Sequence, residues 1–436
     1  VKNKSKEILL KGNNMENNLA FVGTLKNISK IPNADKILQA DVYLKDVKIT
    51  QVVVGLETKE DTKVVYFDSN LCLNQKLIDD YPELAKYLGK GFRVKTIKLK
   101  GIISNGLCVE IEKFVKYFKT EKEAIKTLEE GYAFNKIGEQ EICKKYIPVL
   151  NLPSQGNGKK KGKGKISSRM IANQFNFHFD TSHLMKNIHK IKPDDLISIS
   201  DKHHGTSLIV SKCLVKKKLN LFESLLKKIK VNVVDTNYDY IYASRRVIKN
   251  GEFPGSKHYY KEDIWTDAGK FFEGKLHDGE TIYAEIVGYL KDGKMIQKGY
   301  DYGCEPTKHK IEVYRITYTS PDGNVLEYSW EAMKQRCQQI GVDHVREFYF
   351  GKAKFLFPEI NESENWNVTF LEKLRKTYLE KDCDVCKNKV PNEGIVLRVE
   401  GLEIESFKLK SERFILRESE LKDKEGEESV DIEDVN

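Results

Sequence analysis

Residues 154–165 read SQGNGKKKGKGK, a stretch without one apolar side chain in which lysine and glycine dominate. Such a segment can bury nothing, so no single core can run through it. It divides the 436-residue chain into an N-terminal unit of about 150 residues and a C-terminal unit of about 250. The expected organisation is an extension over 1–16, a first domain over 17–150, a Gly/Lys linker over 151–165, a second domain over 166–417 and an acidic tail over 418–436. The linker lysines could also touch a phosphate backbone, but a flexible connection is the plainer reading.

Charge is distributed unevenly. Residues 418–436 hold nine acidic and two basic side chains, so the formal net charge of +9 leaves about +16 on the rest of the chain. That balance suits a polyanionic partner, although a lysine-rich solvated surface gives the same numbers. The acidic tail is expected to be disordered and solubilising. No run approaches the roughly 18 to 20 uncharged apolar residues that span a bilayer. The opening VKNKSKEILLKG has no apolar h-region or cleavage site, and without an initiator Met it reads as a processed or shortened product. Eight scattered cysteines indicate reduced thiols and an intracellular setting, cytoplasmic or nuclear.

The N-terminal unit is expected to be β-rich. Residues 19–25, 64–67 and 93–99 have strand composition, and 92–111 predicts a hairpin turning near Ser104-Asn105-Gly106. Short helices are expected over 77–88 and 120–130. A small Greek-key barrel of OB type accommodates this pattern, and 21–37 (FVGTLKNISKIPNADKI) resembles the opening of OB-type tRNA-binding domains. The C-terminal unit predicts strands over 207–214, 281–290, 311–318, 394–399 and 404–409, with helices over 330–340 and 368–380. The fold class is therefore α+β with largely antiparallel strands. Neither a P-loop nor a G-x-G-x-x-G sequence occurs.

The chemistry centres on Ser200-Asp201-Lys202-His203-His204-Gly205-Thr206-Ser207. A strand runs into a turn that carries Lys202, and a lysine held over a pocket is a nucleophile once its amine is neutral. Reaching neutrality near pH 7 from about 10.4 requires about 4 kcal/mol. A Mg²⁺ about 5 Å away, at an effective dielectric near 20, supplies roughly 6 to 7 kcal/mol of repulsion. Taken alone the turn is a weak signal.

Downstream, in order, come Ser244-Arg245-Arg246, Tyr283-Ala284-Glu285-Ile286-Val287-Gly288, Val313-Tyr314-Arg315-Ile316, Glu393-Gly394-Ile395-Val396-Leu397-Arg398 and Phe407-Lys408-Leu409-Lys410. Together with the Lys202 turn these resemble motifs I, Ia, III, IIIa, IV and V of the covalent nucleotidyltransferases, the ATP-dependent polynucleotide ligases and mRNA capping enzymes. The Lys-x-His-Gly-Thr form resembles RNA ligases, whereas DNA ligases and capping enzymes usually carry Lys-x-Asp-Gly. Only 26 residues follow Lys410, which leaves no room for a C-terminal OB domain, and the OB-like unit lies on the N-terminal side. That order resembles the Naegleria/Deinococcus type of RNA ligase.

The resemblance implies an ATP-dependent ligase that seals 3′-OH and 5′-phosphate ends at nicks in RNA, in repair or processing, through AMP carried covalently on Lys202. It implies Lys408 and Lys410 on the phosphates, and Glu393 and Glu285 on Mg²⁺ or Mn²⁺ as well as in catalysis. Asp201, His204, Gly205, Thr206, Ser207, Arg245, Arg246 and Tyr314 would form the nucleotide pocket, with Tyr314 beneath adenine. The partner would be nicked duplex RNA, the chain a monomer, and no membrane would be involved. A DNA ligase, a GTP-dependent capping enzyme and a catalytically inactive RNA-binding protein stay open as alternatives.

Some residues have plainer readings. Lys408 and Lys410 could be an exposed strand face, and Tyr314 a core residue beside Arg315, a position often acidic in this superfamily. Glu285 is harder to dismiss, because an apolar strand makes a bare carboxylate costly. Ser207 stands where many such ligases place Asn. The 42-residue gap from Lys202 to Ser244 implies an inserted hairpin or helix across 212–234, whose lysines could track RNA or face solvent. Cys383 and Cys386 form a lone C-x-x-C, too few ligands for structural zinc. His203 is expected to point away from the nucleotide. Phe175, Phe177, His178, Asp180 and Thr181 either line the phosphate exit or form a surface helix.

Overall fold

The computed structural model describes residues 19–69, 71–146, 169–178, 181–249, 262–361 and 365–424. The 1–16 extension, the 151–165 linker and Asp180 lie outside the described residues.

The N-terminal unit is built on strands β1 (Ala20–Lys30), β2 (Ile37–Leu44), β3 (Val47–Gly55) and β4 (Lys63–Phe67). Phe21 and Tyr66 pack into one core, while their neighbours Val22 and Phe67 pack into another, so the two-residue period serves both faces of the sheet. Helix α1 (Gln75–Asp80) is shorter than the expected 77–88 element; Pro82 begins a separate 3₁₀ turn over Pro82–Tyr87. A proline has no N–H for the α ladder, which accounts for the break.

The hairpin expected near Ser104-Asn105-Gly106 turns elsewhere. Strand β5 (Thr96–Leu99) pairs with β6 (Ile102–Asn105) through Lys100 and Gly101, both at positive φ. Such two-residue turns match the twist of the strands they join. Gly106, also at positive φ, instead redirects the chain into β7 (Leu107–Glu110), and the sheet runs β3-β2-β1-β4-β7. Helix α2 (Glu121–Thr127), capped by the Thr120 side chain, falls within the expected 120–130.

The C-terminal unit carries two sheets. Ser182–His183 (β8), Leu196–Asp201 (β9), Thr206–Lys216 (β10), Thr236–Ala243 (β11), Glu280–Gly288 (β12), His309–Thr319 (β13), Glu347–Lys352 (β14), Gly394–Val399 (β15) and Glu405–Lys410 (β16) supply the strands. One sheet has the order β8-β16-β15-β9-β14; the other runs β11-β10-β12-β13 and continues to Val325–Glu327. Within that second sheet β10 is joined to β11 through the expected insertion, which folds as helix α3 (Leu221–Lys228) with an Asn220 capping box. The longer helices that follow are α4 (Ile264–Lys270), α5 (Trp330–Ile340), α6 (Trp366–Tyr378) and α7 (Glu412–Lys424). The fold is mixed α+β and its ladders are mostly antiparallel, as the spacing predicts.

Alternation decides what faces what. In the first sheet Ile395, Leu397, Phe407 and Leu409 pack with Phe370 and Leu374 of α6. Val396, Arg398, Ser406, Lys408 and Lys410 face a cleft on the other side. In the second sheet Leu208, Ala284 and Ile286 join a core with Trp265 and Trp330. Ser207 and Glu285 face the same cleft.

Glu280 is fully buried and accepts two hydrogen bonds from Arg336 of α5, Nε at 2.7 Å and Nη2 at 2.8 Å. Removing one partner of such a pair leaves an uncompensated charge. Glu280→Ala is therefore expected to lower the unfolding free energy by about 3 to 5 kcal/mol, read from urea melts. Leu at both 280 and 336 should restore most of that loss; a double variant as unstable as the single one would count against the argument.

The acidic tail expected from Glu418 onward is helical as far as Lys424, because α7 continues through it. Phe414 and Ser419 are buried along this helix, so packing holds it despite its charge. No described helix is long and apolar enough to cross a membrane.

Candidate active site

The cleft between the two sheets has a volume of about 310 Å³. Lys202 sits at its edge just past the end of β9, its N–H donating to Gly394 O at 3.0 Å. Gly394 adopts φ +143°, and a Cβ there would stand 2.1 Å from Leu409 O, so the position requires glycine. The next turn residue but two, Gly205, is pressed against Ile286 O, which a Cβ would approach to 2.3 Å. Its N–H donates to Glu285 Oε1 at 3.1 Å.

Glu393 holds the cationic groups together. Its Oε1 lies 2.7 Å from Lys202 Nζ and 2.9 Å from Lys410 Nζ, and the residue is 2% exposed. Burial alone would raise its pKa, but Lys202, Lys410 and His204 overcome that and pull it down to about 2. Its Oε2 is buried without a hydrogen-bond donor, the nearest ionic partner being His204 Nδ1 at 3.9 Å. Lys408 has no such counter-ion among the described residues. Burial, then Lys410, Lys202, Arg245 and Lys145, lower its pKa to about 7.

An anionic ligand beside Lys408 favours the ammonium form, so binding is coupled to proton uptake. Between the free-site value near 7 and the value raised by the ligand, we expect ATP binding to take up about one proton at pH 8 and almost none at pH 6. Calorimetry in buffers of different ionisation enthalpy measures this, and Lys408→Met should abolish it. Equal uptake in the variant would place the proton on another group.

Asp201 and Ser207 line the cleft as expected, as do Arg245 and Tyr314. Arg246 does not line the wall: it follows Arg245 in a bend closed by Ser244 N–H donating to Val247 O. Gly205 and Thr206 serve the backbone of the turn rather than the wall, Thr206 pairing with Ile286. His203, expected to point away, lines the cleft instead. It packs on Tyr302 and lies between Asp201 and Glu312. Burial opposes its charge, but those two carboxylates push its pKa up to about 10. Arg315 reaches the cleft together with Tyr314 because a bulge between Tyr283 and Ala284 shifts the register, leaving Val313 and Ile316 in the core. Arg315 Nε is held by Glu327 at 2.7 Å.

Sequence reasoning missed several neighbours. Arg346 of the segment before β14 bonds Asp201 Oδ2 at 2.9 Å and continues to Asp384. Arg398 and Glu327 also line the wall. His178 and Thr181, both named from the sequence, line it as well, His178 in irregular chain rather than a surface helix; burial and then Arg245 and Arg315 lower the His178 pKa to about 3, so it is neutral. Cys383 and Cys386 lie outside the cleft, and among the described residues no three His, Cys, Asp or Glu side chains converge into a metal cage. A small hard cation needs only one or two carboxylates when substrate phosphates and water complete its shell. The donorless Glu393 Oε2 and the Glu285 carboxylate on the same cleft fit that requirement.

Most of the chain, 92% of it, has solved structural counterparts. A lysine-to-alanine mutant of Naegleria gruberi RNA ligase with ATP and Mn superposes with TM-score 0.54 at 16% identity, covering 92% of this chain and 98% of that one. This chain shares its fold with that RNA ligase. A glutamate-to-alanine mutant of the Naegleria ligase with AMP and Mn gives TM-score 0.56 at 16% identity, with the same coverage. The Naegleria ligase with PPi gives 0.53 at 16% identity, again covering 92% and 98%. No family model and no curated protein sequence matches the chain. The likeness to RNA ligase therefore lives in the fold, and the fold spans both units.

Proposed function

We propose that the protein is an ATP-dependent RNA ligase that seals 3′-OH and 5′-phosphate ends at nicks. The observation that carries this reading is the convergence of Lys202, Lys408, Lys410, Glu393 and Glu285 on one cleft of a fold shared with Naegleria RNA ligase. The C-terminal unit acts as a nucleotidyltransferase domain. The N-terminal unit, an OB-like module in this reading, holds the duplex.

Lys202 Nζ attacks the α-phosphorus of ATP. A P–N bond forms, the bond to the bridging oxygen breaks, and pyrophosphate leaves. The RNA 5′-phosphate oxygen then displaces Lys202 from the AMP phosphorus. Finally the 3′-OH attacks the activated 5′-phosphate and AMP departs. Each step is an in-line displacement, so placement and charge stabilisation dominate the catalysis. Lys408 and Lys410, two residues apart on β16, meet the phosphates from one side. Tyr314 offers a ring face to the base and Arg245 a guanidinium to ribose or phosphate. Glu393 favours the ammonium form of Lys202, which is the unreactive one. Glu393 and Glu285 would hold a divalent cation, whose positive charge would disfavour the ammonium form of Lys202.

Incubation with α-labelled ATP or GTP and Mg²⁺, without nucleic acid, tests the first step on denaturing gels. Label from ATP alone is expected, followed by sealing of a nick whose reacting strands are RNA. Label from GTP would move the reading to a capping enzyme, and sealing of all-DNA nicks alone to a DNA ligase. RNA binding with no covalent nucleotide would leave a binding protein.

A further inference from the structure

Helix α7 touches two places at once. Phe414 and Glu418 stand four residues apart and so share one face. The Phe414 ring meets His204 edge-on with centroids 5.0 Å apart, and Glu418 Oε1 lies 3.2 Å from His204 Nε2. Tyr300 also meets the imidazole nearly perpendicularly, at 5.1 Å, and its ring lies 6.2 Å from that of Phe414. The His204 N–H donates to Tyr302 Oη at 2.6 Å. The ring is thus packed by two adjoining aromatic rings and held at one nitrogen, two residues beyond Lys202.

Ser419 and Asp423 form a second pair at the same spacing, on the adjoining face. Ser419 Oγ accepts from Thr96 N–H at 3.1 Å and from Arg93 Nη1 at 3.4 Å. Asp423 forms an ion pair with Arg93, which is 2% exposed. Both partners belong to the N-terminal unit. One helix therefore bolts that unit to the turn that presents the nucleophile.

We propose that Glu418 is a positioning residue for lysine adenylylation, acting through His204 to hold the Lys202 turn while α7 is docked on Arg93 and Thr96. The proposal rests on Lys202 being the nucleophile. Glu418 does not line the cleft, so its removal takes no group away from the wall. What changes is the freedom of the turn. A nucleophile displaced by about 1 Å from its line of attack loses rate by about 100-fold while substrate binding persists.

The test uses the full chain and its Glu418→Ala, Glu418→Asp and Glu418→Gln variants, with kcat and KM for lysyl–AMP formation and the melting temperature of each. Glu418→Ala should lose about 10- to 100-fold in kcat with KM for ATP within about twofold. Glu418→Gln keeps an oxygen acceptor for Nε2–H and should stay within about threefold of the parent. Glu418→Asp, one methylene shorter, should fall between them and serves if the alanine variant does not fold. Arg93→Ala, at the far end of the bolt, should also lower kcat more than it changes KM. Parental kcat in Glu418→Ala, or equal loss in the Ala and Gln variants, overturns the proposal while leaving the adenylylation reading intact. A parent chain that takes no label overturns both.

Discussion

Lys202→Ala is expected to carry no covalent nucleotide under any condition in which the parent chain is labelled. The argument is stoichiometric: only a group that bonds to the α-phosphorus can retain the label after denaturation. Among the cleft lysines, Lys202 alone is mounted on a turn, whereas Lys408 and Lys410 are fixed along β16. Lys202→Arg should fail equally, because a guanidinium stays protonated at any working pH. Both variants should still bind ATP, since the two strand lysines are untouched. Equilibrium binding of a fluorescent ATP analogue separates this loss from misfolding. Label retained by denatured Lys202→Ala would assign the nucleophile elsewhere.

Glu393→Ala has the second-largest expected effect. One carboxylate oxygen holds both Lys202 and Lys410, so its loss sets two ammonium groups against each other within the cleft. Two consequences oppose. Repulsion favours the neutral amine on Lys202, which helps attack. Loss of orientation, and of the oxygen that fits a cation, slows it. Preorganised charge in an enclosed site is commonly worth about 10²- to 10³-fold in rate, so the second effect should prevail by about that factor. Glu393→Gln should behave similarly, as an amide cannot neutralise either lysine. The measurement is the single-turnover rate of label transfer across a range of Mn²⁺ concentrations. Because the Glu393 pKa is near 2, the parent keeps this carboxylate charged down to strongly acidic pH, and acid cannot imitate the substitution in the working range. A variant with the parental rate would remove Glu393 from the chemistry.

Much of the cleft was legible because local rules suffice to describe it. The alternation of Lys408 and Lys410 with Phe407 and Leu409 needs only the period of a strand. Glu285 stood out because a carboxylate within an apolar strand demands a donor, and Gly205 N–H supplies one. The groups that escaped notice act across long stretches of chain. Arg346 reaches Asp201 over 145 positions, a pairing that no local pattern announces. Glu418 was hidden by composition: in an acid-rich run each carboxylate looks solvated, and only the four-residue step from Phe414 marks a helix face. Turn chemistry misled at Ser104-Asn105-Gly106, where the glycine's positive φ serves a change of sheet instead of a hairpin. At 77–88 apolar spacing was stronger than the helix could be, because Pro82 interrupts the backbone ladder.

The placement of Phe414 and Glu418 on His204 also bears on the life of the chain during its manufacture. Translation delivers the Lys202 turn early and Glu412–Lys424 late. A growing polypeptide can thus complete the strands around the lysine while its imidazole still lacks the last two of its supports. Unfinished copies would hold Lys202 in a looser turn. Full support of the turn would arrive with α7, after the N-terminal unit has had time to fold.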